Sequence, residues 1–318
     1  MGKMILNAVD KAEILTLQDN YIDMTVRDNN EVVTRAMPMK EGRFRKSVLS
    51  EHGFSSIVRT TTGSRTRTML FDFGFSEIGA VFNAEALGVD MSQIEALALS
   101  HGHDDHAGGM ERFVKMIGKR GVELFVHPSV FKTPRYLKYN EEQKVFFPAI
   151  TRDALEKLEI RVVETREPQL MLDGDVLFLG EIERATDFEK GYPIARLLED
   201  GREKFDAIED DTSIVMNVRG KGLVILSGCA HSGIINTVHH ATTVTGIKQV
   251  HAIMGGFHLS GPLFESIIEK TIEELHKINP SYIIPTHCTG RKAVMQIKEE
   301  MPDQFILNMS GTKLTFSS

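Results

Sequence analysis

Short apolar runs alternate with amphipathic segments along most of the chain. Residues 12–17, 55–59, 68–73, 94–99, 121–127, 160–164, 176–180, 213–218, 223–226, 250–254 and 282–285 are short, predominantly apolar runs that read as strands, 55–59 with period-two alternation. Between them, 78–87, 111–119, 153–158, 234–243, 263–278 and 292–300 read as helices; in 111–119 the residues Phe113, Val114, Met116 and Ile117 recur at helical spacing. Two further strands are expected at 305–308 and 313–316. A Gly-Ser turn between 55–59 and 68–73, and Gly220-Lys221-Gly222 between 213–218 and 223–226, predict two hairpins. Strands alternating with helices make this an α/β protein.

Three stretches break the rhythm: residues 22–50, 131–150 and 183–209. They are expected to be insertions within one domain spanning 1–318. Residues 22–50, with Arg35, Arg43, Arg45 and Lys46, read as a solvated loop or, more sharply, a cationic lid. Residues 131–150 carry Tyr136, Tyr139, Phe146 and Phe147 and read as a substrate-lining excursion or a loop packed on the body. Residues 183–209 read as a solvated charged face, with Arg184 a candidate contact for an anionic substrate.

Composition narrows the partners. The 318 residues carry a net charge of −7 and no dense basic tract, so nucleic acid is not an expected partner. No apolar stretch approaches the roughly 20 residues of a membrane span. Residues 1–10 lack the apolar core of a secretory signal. Two cysteines, Cys229 and Cys288, form no disulfide framework and fit a reducing compartment, so a cytoplasmic protein is expected.

The densest chemistry follows the run 94–99: Ser100-His101-Gly102-His103-Asp104-Asp105-His106-Ala107-Gly108-Gly109. His101 and His103, two apart in an extended segment, can project to one side. His106 opens the next helix and points from another direction. Neutral imidazoles and a hard carboxylate are metal ligands, so the turn reads as two adjacent cation positions, His101 and His103 on one, Asp105 and His106 on the other. Other predicted strands also end in glycine-containing turns with histidine: His231 in Ser227-Gly228-Cys229-Ala230-His231, His258 in Gly256-Phe257-His258, and His287 in Thr286-His287-Cys288. Strand ends of an α/β sheet are where ligand sites gather. An extended Cys229-Ala230-His231 can aim both side chains one way, which makes His231 a candidate third imidazole of the first position. His258 reads as a ligand, a general acid or a substrate contact. His127, at another strand end, reads as hydrogen-bonded rather than catalytic, and Cys288 as a buried structural thiol pointing away from the site.

The His-x-His-x-Asp-His run after a hydrophobic strand resembles the signature of the metallo-β-lactamase superfamily. The resemblance implies a four-layer αβ/βα sandwich with a metal site at one edge. It implies that Asp72, at the end of 68–73, buttresses the metal-binding turn, and that His287 matches the family's last motif as a ligand of the second metal. Where relatives usually carry an aspartate bridging both metals, this chain has Cys229; a thiolate ligates zinc too. Glu51-His52-Gly53, Gly180-Glu181-Ile182-Glu183-Arg184, Gly255-Gly256-Phe257-His258-Leu259 and His287-Cys288-Thr289-Gly290 resemble the subgroup around 7,8-dihydropterin-6-methyl-4-(β-D-ribofuranosyl)aminobenzene-5′-phosphate synthase, many members of which are known only as predicted metal-dependent hydrolases. The resemblance implies a small-molecule enzyme holding one or two zinc ions, with iron or manganese as alternatives. As a hydrolase of an ester, lactone or phosphoester it would use Asp105 to position an activated water, with His258 or His52 protonating the leaving group. As a transferase it would join an aromatic amine to a dihydropterin diphosphate. The third reading, motivated by Cys229, is a non-catalytic binding protein with the same fold.

Overall fold

The computed structural model describes residues 3–37, 39–44 and 46–318. Arg45, one of the basic residues of the expected lid, and Met1 and Gly2 lie outside the described residues.

Two large sheets carry the fold. The first has eight strands in the order Arg161–Glu164, Glu123–Val126, Ala96–Ala98, Arg65–Phe71, Ser55–Thr62, Lys11–Gln18, Lys313–Ser317, Val33–Thr34. Its first four strands are parallel and the remainder pair antiparallel. The second has seven: Gln169–Met171, Val176–Phe178, Ser213–Val218, Gly222–Ser227, Val250–Gly256 and Tyr282–Thr286, with Ala8–Val9 parallel to Ser213–Val218. Side chains two apart share a sheet face, and the core follows that parity. Ile14, Val58, Met69, Phe71 and Phe125 of the first sheet meet Phe178, Ile214, Met216, Leu226 and Met254 of the second. The intervening residues face outward under helices. Ile57, Leu70, Leu97 and Leu124 pack with Ala80, Phe113 and Leu155 on one side. Val215, Ile225, Ile253 and Ile283 pack with Ile235, Ile272 and Ile297 on the other. The result is helices, sheet, sheet, helices: the expected αβ/βα four-layer sandwich. Strands buried on both faces explain the continuous apolar runs. Among the described residues no helix is long and apolar enough to cross a membrane.

Three expectations are corrected. Residues 131–150 are not a mere loop, and 183–209 is more than a solvated face: Lys144–Phe146, Arg135–Lys138, Ala195–Glu199 and Arg202–Phe205 form, in that order, a four-stranded antiparallel sheet of their own. Among the described residues of 22–50, Arg35 and Lys46 do not serve a cationic lid. The Arg35 guanidinium is buried against Asp28, at 2.6 and 2.8 Å, and Thr312, and Lys46 sits over the Phe82 ring. Residues 305–308 form only an isolated bridge between Phe305 and Ile283.

The insertion 183–209 also caps a helix of the main body. Ile234–Thr245 begins at Gly233 without a side-chain cap of its own. Buried Glu189 fills that role, accepting the Ile235 and Asn236 amides at 2.9 and 2.8 Å and the Thr186 hydroxyl at 3.1 Å. Gly233 is required there, because a Cβ would lie 2.1 Å from the Glu189 carboxylate. Burial, outweighing these bonds, pushes the Glu189 pKa up from 4.5 to about 7. Between those values the folded chain keeps a proton that the unfolded chain has released, so stability falls as pH rises from 4.5 toward 7. Urea unfolding should show wild type losing roughly 3 kcal/mol over that range relative to Glu189→Gln. Parallel stability curves would contradict the assignment.

Candidate metal centre

Four strand ends meet at one edge of the sandwich. Arg65–Phe71 delivers Asp72, Ala96–Ala98 the His101–His106 turn, Gly222–Ser227 Cys229 and His231, and Tyr282–Thr286 His287; Val250–Gly256 adds His258 beside them. At this edge the chain leaves each sheet abruptly. Asp72, Ala230, His258 and His287 are all left-handed, with φ of 58°, 51°, 46° and 43°. Non-glycine residues hold that conformation only where surroundings enforce it.

The enforcement is visible. Asp72, fully buried, accepts the Ser100 amide at 2.7 Å and the Ser100 hydroxyl at 2.8 Å, and its Oδ2 lies 2.7 Å from His106 Nδ1. The Ser100 hydroxyl is 3.0 Å from His101 Nδ1. These contacts turn the opposite nitrogens inward. His106 Nε2 lies 3.1 Å from Cys229 Sγ, and His287 Nε2 lies 3.0 Å from Asp105 Oδ2. His231 Nε2 lies 3.2 Å from His103 Nδ1. Donor atoms of Asp105, His106, Cys229 and His287 fall within 4.8 Å of one another, as do those of His101, Cys229 and His231 and those of His101, His103 and Asp105. Cys229 thus belongs to the His101 group and the His106 group, and to a third with His258 and Cys288.

The buried nitrogens His101 Nε2, His103 Nε2, His231 Nδ1 and both of His258 have no hydrogen-bond partner. Orphaned buried polar atoms are costly unless something binds them. Their electrostatics suit a cation. Burial, reinforced by neighbouring imidazoles, pushes the pKa values of His101, His103 and His231 well below the usual histidine range, leaving neutral rings with a free lone pair. At His106 burial pushes down, but the Asp105 and Asp72 carboxylates outweigh it and raise the pKa to about 9. Burial pushes the Asp105 carboxyl up, yet His106, His287 and His52 hold it well below its ordinary range. The donor set therefore fits one or two divalent cations.

A cavity of about 1010 Å³ opens onto these residues, lined by His103, Asp105, Cys229, His231, His258 and His287, and walled by Leu137 of the four-stranded sheet and by Phe147 and Tyr192 from the segments flanking its strands. Phe147 stacks on His103 at 4.1 Å between centroids. His52 stands at the rim, its side chain 62% exposed and its Nε2 3.4 Å from Asp105 Oδ2.

Some expected residues lie elsewhere. Arg184 does not line the cavity. Its guanidinium is spent on the Ala207 and Ile208 carbonyls and the Ser232 hydroxyl, which pins the insertion to the body. His127 is buried and bonded to Glu181 and the Ser129 amide, as expected. Cys288 does not point away. It lies in a 3₁₀ turn, where strand alternation fails, and its sulfur falls within 4.8 Å of donors of Cys229 and His258. Other contributors went unread in the sequence. Asp19 accepts the His287 amide at 2.9 Å, and Asn20 bridges His287 Nδ1 and His52 Nδ1, each at 3.1 Å. Their signal was a polar pair ending the strand at 12–17, at the same sheet edge as the histidines.

Residues 51–239 match the sequence model of the metallo-β-lactamase superfamily. The chain is 34% identical over 275 residues to a Methanocaldococcus jannaschii protein named 7,8-dihydropterin-6-methyl-4-(β-D-ribofuranosyl)-aminobenzene-5′-phosphate synthase, covering 84% of this chain and 90% of that one. An uncharacterized protein of the same archaeon is 28% identical over 258 residues, 80% of this chain and 90% of its own. Among solved structures, Tm1679, described as a metal-dependent hydrolase of the β-lactamase superfamily, superposes with a TM-score of 0.71 at 24% identity, covering 96% of this chain and all of that one.

Proposed function

Starting from a chain that belongs to the metallo-β-lactamase superfamily, we propose that it is a metal-dependent hydrolase acting on an ester, lactone or phosphoester of a small molecule. The observation that carries this reading is the convergence of partnerless imidazole nitrogens, Asp105 and Cys229 at the floor of one large cavity. His101, His103, His231 and Cys229 would hold one cation, and Asp105, His106, His287 and Cys229 the other. Zinc suits this donor set, and iron or manganese uses similar ligands. When bound, such cations supply Lewis acidity toward a carbonyl or phosphoryl oxygen and acidify water.

The chain's own residues supply the remainder. Asp105 Oδ2 lies 3.0 Å from His287 Nε2 and 3.4 Å from His52 Nε2, so it is held where a nucleophile needs a proton acceptor. His52, exposed at the rim, is placed to pass a proton to a departing group, and His258, 4.2 Å from His231 between ring centroids, is its half-buried alternative. The aromatic wall offers flat apolar surface, and Arg291 on the cavity lining, rather than Arg184, is the cation for an anionic substrate.

One observation favours a second reading: the 34% identical relative is named a synthase. Under it, an arylamine nitrogen attacks the methylene of a dihydropterin diphosphate. A C–N bond forms, the C–O bond breaks, diphosphate departs and the amine proton is released. The cavity aromatics would stack on the pterin.

The test is a panel of esters, lactones, phosphoesters and dihydropterin diphosphate, assayed before and after chelation and again with added Zn²⁺ or Mn²⁺. Hydrolysis lost on chelation and restored by metal is expected. Diphosphate released only when arylamine and pterin are both present would select the synthase. Full activity in metal-free protein would overturn both.

A further inference from the structure

We infer that Arg135 is a positioning residue for the cation-binding turn, acting through Asp210 on the backbone amide between His101 and His103. The inference rests on the metal reading above.

Arg135 begins a strand of the four-stranded sheet, outside the main sandwich, yet it is only 4% exposed. Its guanidinium makes two forks. Nε and Nη2 reach the Asp206 carboxylate at 2.6 and 3.3 Å, and Nη1 and Nη2 reach Asp210 at 2.9 Å each. Asp210 Oδ2 also accepts the Gly102 amide at 2.8 Å. Gly102 sits directly on this assembly: a Cβ there would lie 3.0 Å from Val130 Cγ2 and 3.4 Å from Arg135 Nη1. The adjoining residues extend the grip, Asp211 accepting the His231 and Ser232 amides at 2.9 and 2.8 Å and the Thr212 amide donating to the Ser100 carbonyl at 3.0 Å.

A guanidinium buried between two carboxylates is a poor way to gain stability alone, since desolvation offsets most of the attraction. It is a good way to fix a distance, because two planar forks leave Asp210 no freedom. The distance it fixes is that of Gly102 and hence of the two flanking imidazoles. Phe147, from the same excursion as Arg135, closes over His103. The same excursion therefore supplies both the ring that covers His103 and the guanidinium that holds Asp210 against Gly102.

The experiment is zinc titration of metal-free full-length protein against a chromophoric chelator, for wild type, Arg135→Lys, Arg135→Gln and Asp210→Asn. Thermal melting of each metal-free protein is followed in parallel. Lys132→Ala, which breaks the part-buried 2.7 Å pair between the neighbouring positions Lys132 and Glu209, is the structural control. Expected is an approximately 10- to 100-fold weaker first cation in Arg135→Gln, with the second little changed, a smaller loss in Arg135→Lys, and no loss in Lys132→Ala. The Arg135→Gln/Asp210→Asn double variant should be no weaker than the worse single one. Unchanged zinc affinity in Arg135→Gln and Arg135→Lys overturns this inference alone. So does an equal fall at both positions that tracks the metal-free melting temperature. Wild type that binds no zinc overturns this inference together with the metal reading.

Discussion

Cys229→Ala is expected to weaken both cation positions at once and to lower kcat/KM on the order of 10³-fold, the scale on which a principal stabilising group is lost. The expectation comes from its place. Its sulfur shares one donor group with His101 and His231 and another with Asp105, His106 and His287, and the side chain is 2% exposed, so no solvent group can substitute. Burial pushes the free thiol's pKa up, and a bound cation reverses that by stabilising the thiolate. Removing the sulfur leaves His106 Nε2 without its 3.1 Å neighbour. Cys229→Asp restores an anionic bridge of different reach and should recover a large part of metal content. Elemental analysis and kinetics on the three proteins decide the point. Undiminished metal content in Cys229→Ala would remove the sulfur from both positions.

Asp72→Asn is expected to destabilise the fold by about 3–5 kcal/mol, the range for breaking one side of a buried charged pair, and to weaken metal binding by about 10- to 100-fold. Asp72 has no exposed surface and serves three donors: the Ser100 amide, the Ser100 hydroxyl and His106 Nδ1. An asparagine presents one acceptor oxygen and an NH₂ that meets another donor. The neighbourhood cannot relax to accommodate it. Gly228 of the opposite sheet approaches so closely that a Cβ there would lie 2.9 Å from Asp72 Oδ2 and 2.1 Å from Ser100 Oγ. His106 would then lose the carboxylate that holds its Nδ1 at 2.7 Å, and with it the ring orientation that aims Nε2 at the cation position. Chemical denaturation and zinc competition measure the two effects. A stable variant with wild-type affinity would mean the contact is incidental.

The layers were legible because strands covered on both faces must be apolar, and 96–99, 223–226 and 252–254 are. The turn at 100–109 was legible because its donors are contiguous, so their local spacing already predicts convergence. Cys288 was misread by applying strand alternation to a segment that curls into a 3₁₀ turn after His287, whose φ is 43°. The four-stranded sheet was missed because Arg202–Phe205 is exposed at every position and shows no apolar face. Arg184 was misjudged because its partners, the carbonyls of Ala207 and Ile208, leave no trace in side-chain chemistry. Arg135 was invisible for a related reason: its carboxylates lie 71 and 75 residues away, in a stretch that reads as ordinary surface charge.

Crystals of the protein loaded with zinc, with anomalous scattering recorded at the metal edge, test the central claim most directly. The account predicts two peaks sharing Cys229, one among His101, His103 and His231 and the other among Asp105, His106 and His287. A fully folded protein with no peak between these side chains, or with metal bound only elsewhere, would contradict it.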